Sequence, residues 1–477
     1  MKTLFGILSV MFALSTLSTD AWARDEGKLS LEQYLGQVRE KNGALTSALE
    51  ASQGAEKRSE EGNLLLAPTL VGEADFINDK RPTSNPAFQG YKTERNLYSL
   101  GISQLTPVGL RATLSYDIDH TKISGANPAF VPLSEYYDAR PTLALTQSFW
   151  RDAFGAETRA SLEALEAQAL ATSFSESYRA KVELSQAELD YWRLAIAREA
   201  VRVQRDTLSR SEKILEWSER RLKLELADKS DFLQAQAAQE LRELDLQAAL
   251  DDERSARRAF NLSRGRDSEE VPEQLASLER IDSAAMSLPK RATLRDDVRA
   301  AEQARRAAIA NTERRLSHLN PLVDVYGTYS FNGHRSTRGE AVSDSFKDDS
   351  PMWTVGVRLE VPLNPGLLFR TREGYHVEKQ AAEDNYDRKL LEQESQWKGL
   401  TEKISEAKRR LSLSRSIEKA QEAKLAHEKK RHSLGRTTTY QVLLFEQDFA
   451  SAQLSRIRTQ AEVVRLVAQM KTFRSDI

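Results

Sequence analysis

The 477-residue sequence contains no cysteine. That excludes disulfides, thiolate metal sites, cysteine nucleophiles and a lipid anchor on an amino-terminal cysteine. Beyond its first twenty residues no run approaches the ~18 apolar residues a spanning helix needs, and the mean hydropathy of -0.56 excludes a helical membrane bundle. Aromatics make up only 7% of the chain, too few for several large cores, so an elongated molecule is expected. No charge dominates either. Lysine plus arginine (69) nearly balance aspartate plus glutamate (71), so no basic surface points to nucleic acid and no acidic tail suggests disorder. The charges read as solvated helix faces.

What is present begins with an export signal. Lys2 precedes the apolar stretch Leu4 to Leu14, and Ala21-Trp22-Ala23 is a small-x-small cleavage pattern, so residues 1–23 are expected to direct the chain out of the cytoplasm.

Proline outlines the rest, because it breaks helices and lacks a backbone donor. Seven of the 13 prolines lie between Pro68 and Pro141 and four between Pro321 and Pro365, whereas residues 151–271 and 366–477 have none. Those two tracts are rich in helix formers. Ala180, Ala187, Leu194, Val201, Leu208, Leu215 and Leu222 recur every seven residues in the first; Leu390, Trp397, Ile404, Leu411, Glu418, Leu425 and His432 do so in the second, 210 residues on. From Val442 through Phe449, Val463 and Phe473 the spacing alternates between three and four, a coiled-coil seam. Each tract breaks once, at Leu224–Leu233 and at Leu434–Leu443, so each is expected to be an antiparallel helical hairpin. The helix entering each turn, about 70 residues long, would reach ~100 Å.

The proline-rich segments carry a period of two instead. Trp353, Val355, Val357, Leu359 and Val361 alternate with Thr354, Gly356, Arg358 and Glu360; Val323, Val325, Tyr329 and Phe331, then Leu110 to Ile118, then Leu143, Leu145 and Phe149 behave alike. Segments of ~9 to 11 such residues suit outer-membrane strands, apolar toward lipid and polar toward a lumen. Half of the aromatics that follow residue 23 fall in residues 67–150 and 320–370, which suits an interfacial girdle. A few strands from one chain cannot close a barrel, and an open edge in lipid is prohibitive, so strands of several chains must be shared, with three copies the simplest closure. Residues 98–105 and 109–119 form an extra hairpin around Pro107-Val108-Gly109; it either joins the barrel as six strands per protomer or lies outside it.

The order helix, strands, long helix, turn, helix occurs twice. The expected divisions are a first repeat at 24–264 (strands 67–150, helical hairpin 151–264), a linker at 265–289 and a second repeat at 290–477 (strands 320–363, hairpin 366–474). With the entries Ala67 to Leu70 and Asn320 to Val323, the exits Thr146 to Trp150 and Leu359 to Leu363, and the turn Gly435 to Leu443, the chain resembles the TolC-like outer-membrane efflux proteins over nearly its whole length.

The resemblance implies an α+β fold in which long antiparallel coiled-coil helices form a periplasmic α-barrel and a homotrimer shares one outer-membrane β-barrel. It implies a passive exit duct for efflux or type I secretion, with a periplasmic adaptor protein and an inner-membrane pump as partners. The periplasmic tip would then contain Leu224, Asp228, Asp231, His432, Gly435, Thr437, Gln441 and Leu444. Asp231 matches an aspartate of the family's first turn; Gln441 and Leu444 stand where relatives carry lumen-facing aspartates, and His432 and Thr437 where a tyrosine and an arginine help hold the tip shut. Asp228, Asp231 and Glu446 could still make the mouth acidic. The other reading is a soluble periplasmic coiled-coil adaptor or structural protein.

No enzyme is expected. The six histidines are scattered, His427 and His432 are spaced by five and do not share one helix face, and no phosphate loop, dinucleotide fingerprint or nucleophile elbow occurs. No cofactor is implied.

Overall fold

The computed structural model describes residues 28–226, 228–275, 289–347 and 349–475. The export signal expected at 1–23 and most of the expected linker lie outside the described residues. In chain order the elements are β1 (Lys28–Leu29), α1 (Leu31–Lys41), α2 (Gly43–Arg58), β2 (Thr69–Asp79), α3 (Pro86–Gln89), β3 (Lys92–Leu105), β4 (Leu110–Ser124) and β5 (Glu135–Ser148). Next come α4 (Ala156–Lys223), α5 (Lys229–Ser263), β6 (Gln274–Leu275), α6 (Asp296–His318), β7 (Leu322–Ser330), β8 (Gly333–Arg335), α7 (Arg338–Asp344), β9 (Met352–Glu360), α8 (Pro365–Ser433) and α9 (Thr439–Lys471).

The two proline-free tracts are helical hairpins, α4 with α5 and α8 with α9. Helix α4 has 68 residues and α8 has 69, each about 100 Å long at ~1.5 Å per residue. Local signals fix their ends: Asn364 accepts a hydrogen bond from the Leu367 amide with Pro365 in the first turn, and Thr438 caps α9 by accepting from the Gln441 amide. In its first half α4 meets α2 and α6, through contacts such as Ser52 to Ser173 and Lys181 to Asp296. In its second half it meets α5 and α9, as in Ser263 to Asp190 and Arg210 to Glu446. The core lies where these sets change over. There Tyr34 stacks on Phe260 at 4.3 Å, beside buried Tyr191, Leu194, Val463 and Met470.

The heptad ladder is buried from Ala180 to Val201. Beyond Val201 the buried line moves to Val203, Thr207, Ser211, Ile214 and Ser218, where α5 and α9 replace α2 and α6 as the neighbours of α4.

Apart from the short parallel pair β1–β6, the described strands form one open antiparallel sheet in the order β2-β3-β4-β5-β7-β9, with β8 pairing on β5. The hairpin left open by the sequence is part of it: β3 pairs with β2 from Thr93 to Ser103 and β4 pairs with β5 from Leu110 to Lys122. Strands β3, β4 and β5 run 14, 15 and 14 residues, longer than the alternation suggested. Their far ends are held by charge pairs, Arg95 to Asp119 and Lys122 to Glu135, and not by an apolar period. The sheet does not close, and β2 and β9 are its edges.

Candidate functional site: the helical tip and the two-faced sheet

The two turns at the far end of the helices are built alike. After α4, the Leu226 amide donates to the Arg221 carbonyl at 2.8 Å and the Glu225 amide to the Leu222 carbonyl at 3.0 Å; after α8, the Arg436 amide donates to Arg431 at 2.9 Å and the Gly435 amide to His432 at 2.9 Å. This is the paired carbonyl-capping arrangement that requires a left-handed residue after the helix. Gly435 meets it at φ +70° and Glu225 at φ +58°, so one turn uses the residue suited to that conformation and the other a strained substitute. Each turn is also clasped by an arginine, Arg221 donating to the Leu226 carbonyl at 2.8 Å and Arg431 to the Arg436 carbonyl at 3.2 Å.

The expected tip residues lie in these turns or in the helix ends beside them. Leu224 follows the end of α4 and is exposed, Asp228 precedes α5 at its N-cap position without a side-chain cap hydrogen bond, and Asp231 lies in its first turn with its amide donating to the Asp228 carbonyl at 3.1 Å. Gly435 has open space around it, so its role is conformational. Thr437 is in the turn, with the capping done by its neighbour Thr438; Gln441 occupies the first turn of α9. Leu444 lines a groove of about 180 Å³ between α4, α5 and α9, together with Ile214, Leu241 and Tyr440.

His432 ties the two hairpins together. Its ring lies 4.0 Å from that of Trp217 on α4, the Arg221 guanidinium covers the same indole at 4.7 Å, and Nε2 is 3.5 Å from Thr439 Oγ1. Burial and then Arg221 lower the His432 pKa below the usual histidine range, opposed by Glu428. Below this stack Glu446 is buried between Arg210 Nε at 2.7 Å and Lys429 Nζ at 2.5 Å. Glu446 therefore does not supply the mouth with a free negative charge, contrary to expectation; that leaves Asp228 and Asp231. Trp217, Arg221, Arg210 and Glu225 escaped the sequence reading. Only Glu225 had a signal, its place 210 residues before Gly435.

At the other end of the molecule the sheet has two unlike faces. Strand register puts Leu70, Phe76, Tyr98, Leu100, Ile102, Leu114, Leu143, Leu145, Tyr329, Trp353, Val355, Val357 and Leu359 on one side. These are exposed: Leu100 is 59%, Trp353 70%, Val355 68% and Leu359 66% accessible. The other face holds Glu73, Ser99, Ser103, Thr113, Asp117, Arg140, Thr142, Asp324 and Thr354, interrupted by apolar side chains that include Val71, Ile77, Leu97, Leu105, Ile123, Tyr326 and Met352. Its polar groups pair with each other, Arg95 with Asp119, Ser99 with Asp117 and Ser148 with Asp324. Among the described residues no group of three histidine, aspartate or glutamate side chains could hold a metal ion.

No family model matches the chain. No curated protein compared with it matches at a significant level. Solved structures do match. The outer-membrane channel OprN superposes with a TM-score of 0.66 at 17% identity, over 93% of this chain and 89% of that one. The Campylobacter jejuni outer-membrane channel CmeC gives 0.66 at 14% identity, over 99% and 94%. The open state of the Neisseria gonorrhoeae outer-membrane channel MtrE gives 0.64 at 16%, over 94% and 89%. The chain has the fold of the TolC-like outer-membrane channels.

Proposed function

We propose that this chain is one protomer of a homotrimeric exit duct in the outer membrane, whose helices form a periplasmic tunnel. The observation that carries the reading is the sheet. It exposes apolar side chains on one face across six strands while the opposite face is mostly polar, the disposition of a barrel wall between lipid and a water-filled lumen. No described helix is long and apolar enough to cross a membrane, so the sheet is the element suited to lipid.

Oligomerisation is supported by what a single chain leaves open. Strands β2 and β9 are edges, and in lipid each unpaired backbone group is expensive. Pairing β9 of one copy with β2 of the next continues the antiparallel order. The outer flanks of the helical layer also carry exposed apolar side chains, Leu233, Leu244 and Leu262 on α5 and Leu391, Leu413 and Ile417 on α8, which a neighbouring copy would cover. The twofold order of strands, long helix, turn and helix is read as a duplication with its link near residues 265–289.

The duct is passive and uses no cofactor. A periplasmic adaptor protein and an inner-membrane pump supply engagement and energy at the tip, where Leu224, Asp228, Asp231, His432, Gly435, Thr437, Gln441 and Leu444 lie. A soluble periplasmic role would leave the apolar sheet face in water. Membrane fractionation with heat-modifiable gel migration tests the reading: recovery in the outer membrane as a trimer is expected, and a soluble periplasmic monomer overturns it.

A further inference from the structure

We propose that the β3–β4 hairpin is a wall segment that sets the bore of the outer-membrane barrel, and with it the size limit of what leaves the duct. This rests on the trimeric reading above.

The hairpin is joined to its neighbours along its whole length. It pairs with β2 over residues 93–103 and with β5 over residues 110–122, and it keeps their alternation. Tyr98, Leu100, Ile102 and Leu114 continue the apolar face, and Ser99, Ser103, Thr113 and Asp117 continue the polar one. A plug folded into the lumen or a flap laid on the outside would break both patterns.

Its inner turn is anchored to the helical body. Arg159 on α4 donates to the Pro107 carbonyl at 3.1 Å and Gln147 on β5 to the Val108 carbonyl at 3.1 Å. Gly155, at φ +80°, lets the turn come so close that a Cβ there would sit 2.0 Å from the Pro107 oxygen. The strands are thus seated at the same level as β2 and β5.

Without the hairpin β2 could pair directly with β5, since they run antiparallel, and each chain would give four strands. With it each chain gives six, so three copies build a barrel of roughly eighteen strands instead of roughly twelve. At about 4.8 Å between strands tilted by ~40°, the backbone walls stand about 36 Å apart instead of about 24 Å. The hairpin's inward groups are matched to each other, Arg95 with Asp119, Ser99 with Asp117 and Ser103 with Thr113. It therefore adds width without a field of one sign, and the selection it imposes is by size.

The absence of cysteine allows a direct test in the full-length protein reconstituted in lipid. Single variants Leu100→Cys and Ser99→Cys on the hairpin, and Val355→Cys and Thr354→Cys on β9, are labelled with an environment-sensitive fluorophore. Quenching by brominated lipid is expected at positions 100 and 355 and not at 99 and 354. If 355 is quenched but 99 and 100 behave alike, the hairpin is not wall and the proposal falls while the barrel stands. If 355 is not quenched, the barrel reading itself fails. For the bore, polymer-linked maleimides of graded size are applied from the outer face to Thr146→Cys, near the barrel base. The native strand set is expected to admit polymers of more than about 1.5-fold greater diameter than a variant with residues 92–124 replaced by a short turn, since inward side chains take the same width from both bores. Equal limits overturn the size-setting role; should the shortened variant fail to assemble, the labelling alternation at 99 and 100 still decides whether the hairpin is wall.

Discussion

The helical body and the sheet both have an apolar side, but they place it oppositely. In α4 and α9 the apolar residues Leu194, Ile214, Val463 and Met470 are shut between helices. In β9 the residues Trp353, Val355, Val357 and Leu359 remain open although they alternate as regularly. The helices bury a core inside one chain, whereas the sheet leaves its apolar side uncovered. Hydropathy averaged over the sequence hides this, because the open face is a minor part of a molecule that is mostly charged helix.

The contrast can be broken from either side. The largest effect is expected in the helical core: Leu194→Ala, at a fully buried position, should lower stability by about 2–5 kcal/mol, read from the denaturation midpoint. On the sheet Val355→Arg should cost about 2–4 kcal/mol of membrane stability, with fewer assembled oligomers on unheated gels, whereas Thr354→Arg next to it should be nearly silent. Equal effects at 354 and 355 would remove the distinction between the faces.

Smaller effects sharpen the comparison of the two tip turns. Gly435→Ala forces a side chain into a left-handed position and should destabilise by about 1 kcal/mol, while Glu225→Gly should stabilise by about the same amount. Protease nicking at the tip would register both. The smallest effect is the pH response of the Trp217–His432 stack. Because the folded state holds the histidine pKa below its ordinary 6.5, its contribution is complete above that value and is lost as pH falls through the depressed one. Trp217 fluorescence, taken as the difference from Trp217→Phe, should change on acidification, and His432→Gln should abolish the change.

Much of this was legible in the sequence for a physical reason. Long helices without proline and a regular seam such as Val442 to Phe473 are local patterns, and Phe449, Val463 and Met470 are buried as that spacing requires. The lower halves of the strands were legible for the same reason. Their upper parts were not, since Arg95, Asp119 and Glu135 stabilise them by pairing across strands. The polar seam of Thr207, Ser211 and Ser218 was also hidden, because small hydroxylated residues between closely approaching helices look like solvent positions. At the tip, Gly435 could be placed in a turn by the break in the heptads, and Asp231 was named by the family resemblance, but the Trp217, Arg221 and His432 stack joins residues from two hairpins and exists only once these are packed together.

The central claim is that copies of this chain close their sheets edge to edge. In a chain with no other cysteine, Leu70→Cys on β2 is combined with single cysteines at positions 357–360 on β9 and oxidised in isolated outer membranes. The account predicts that at least one pair gives a ladder ending in a covalently closed trimer, with no crosslink when either partner is missing. Crosslinks confined within single chains, or none at any register, would contradict it.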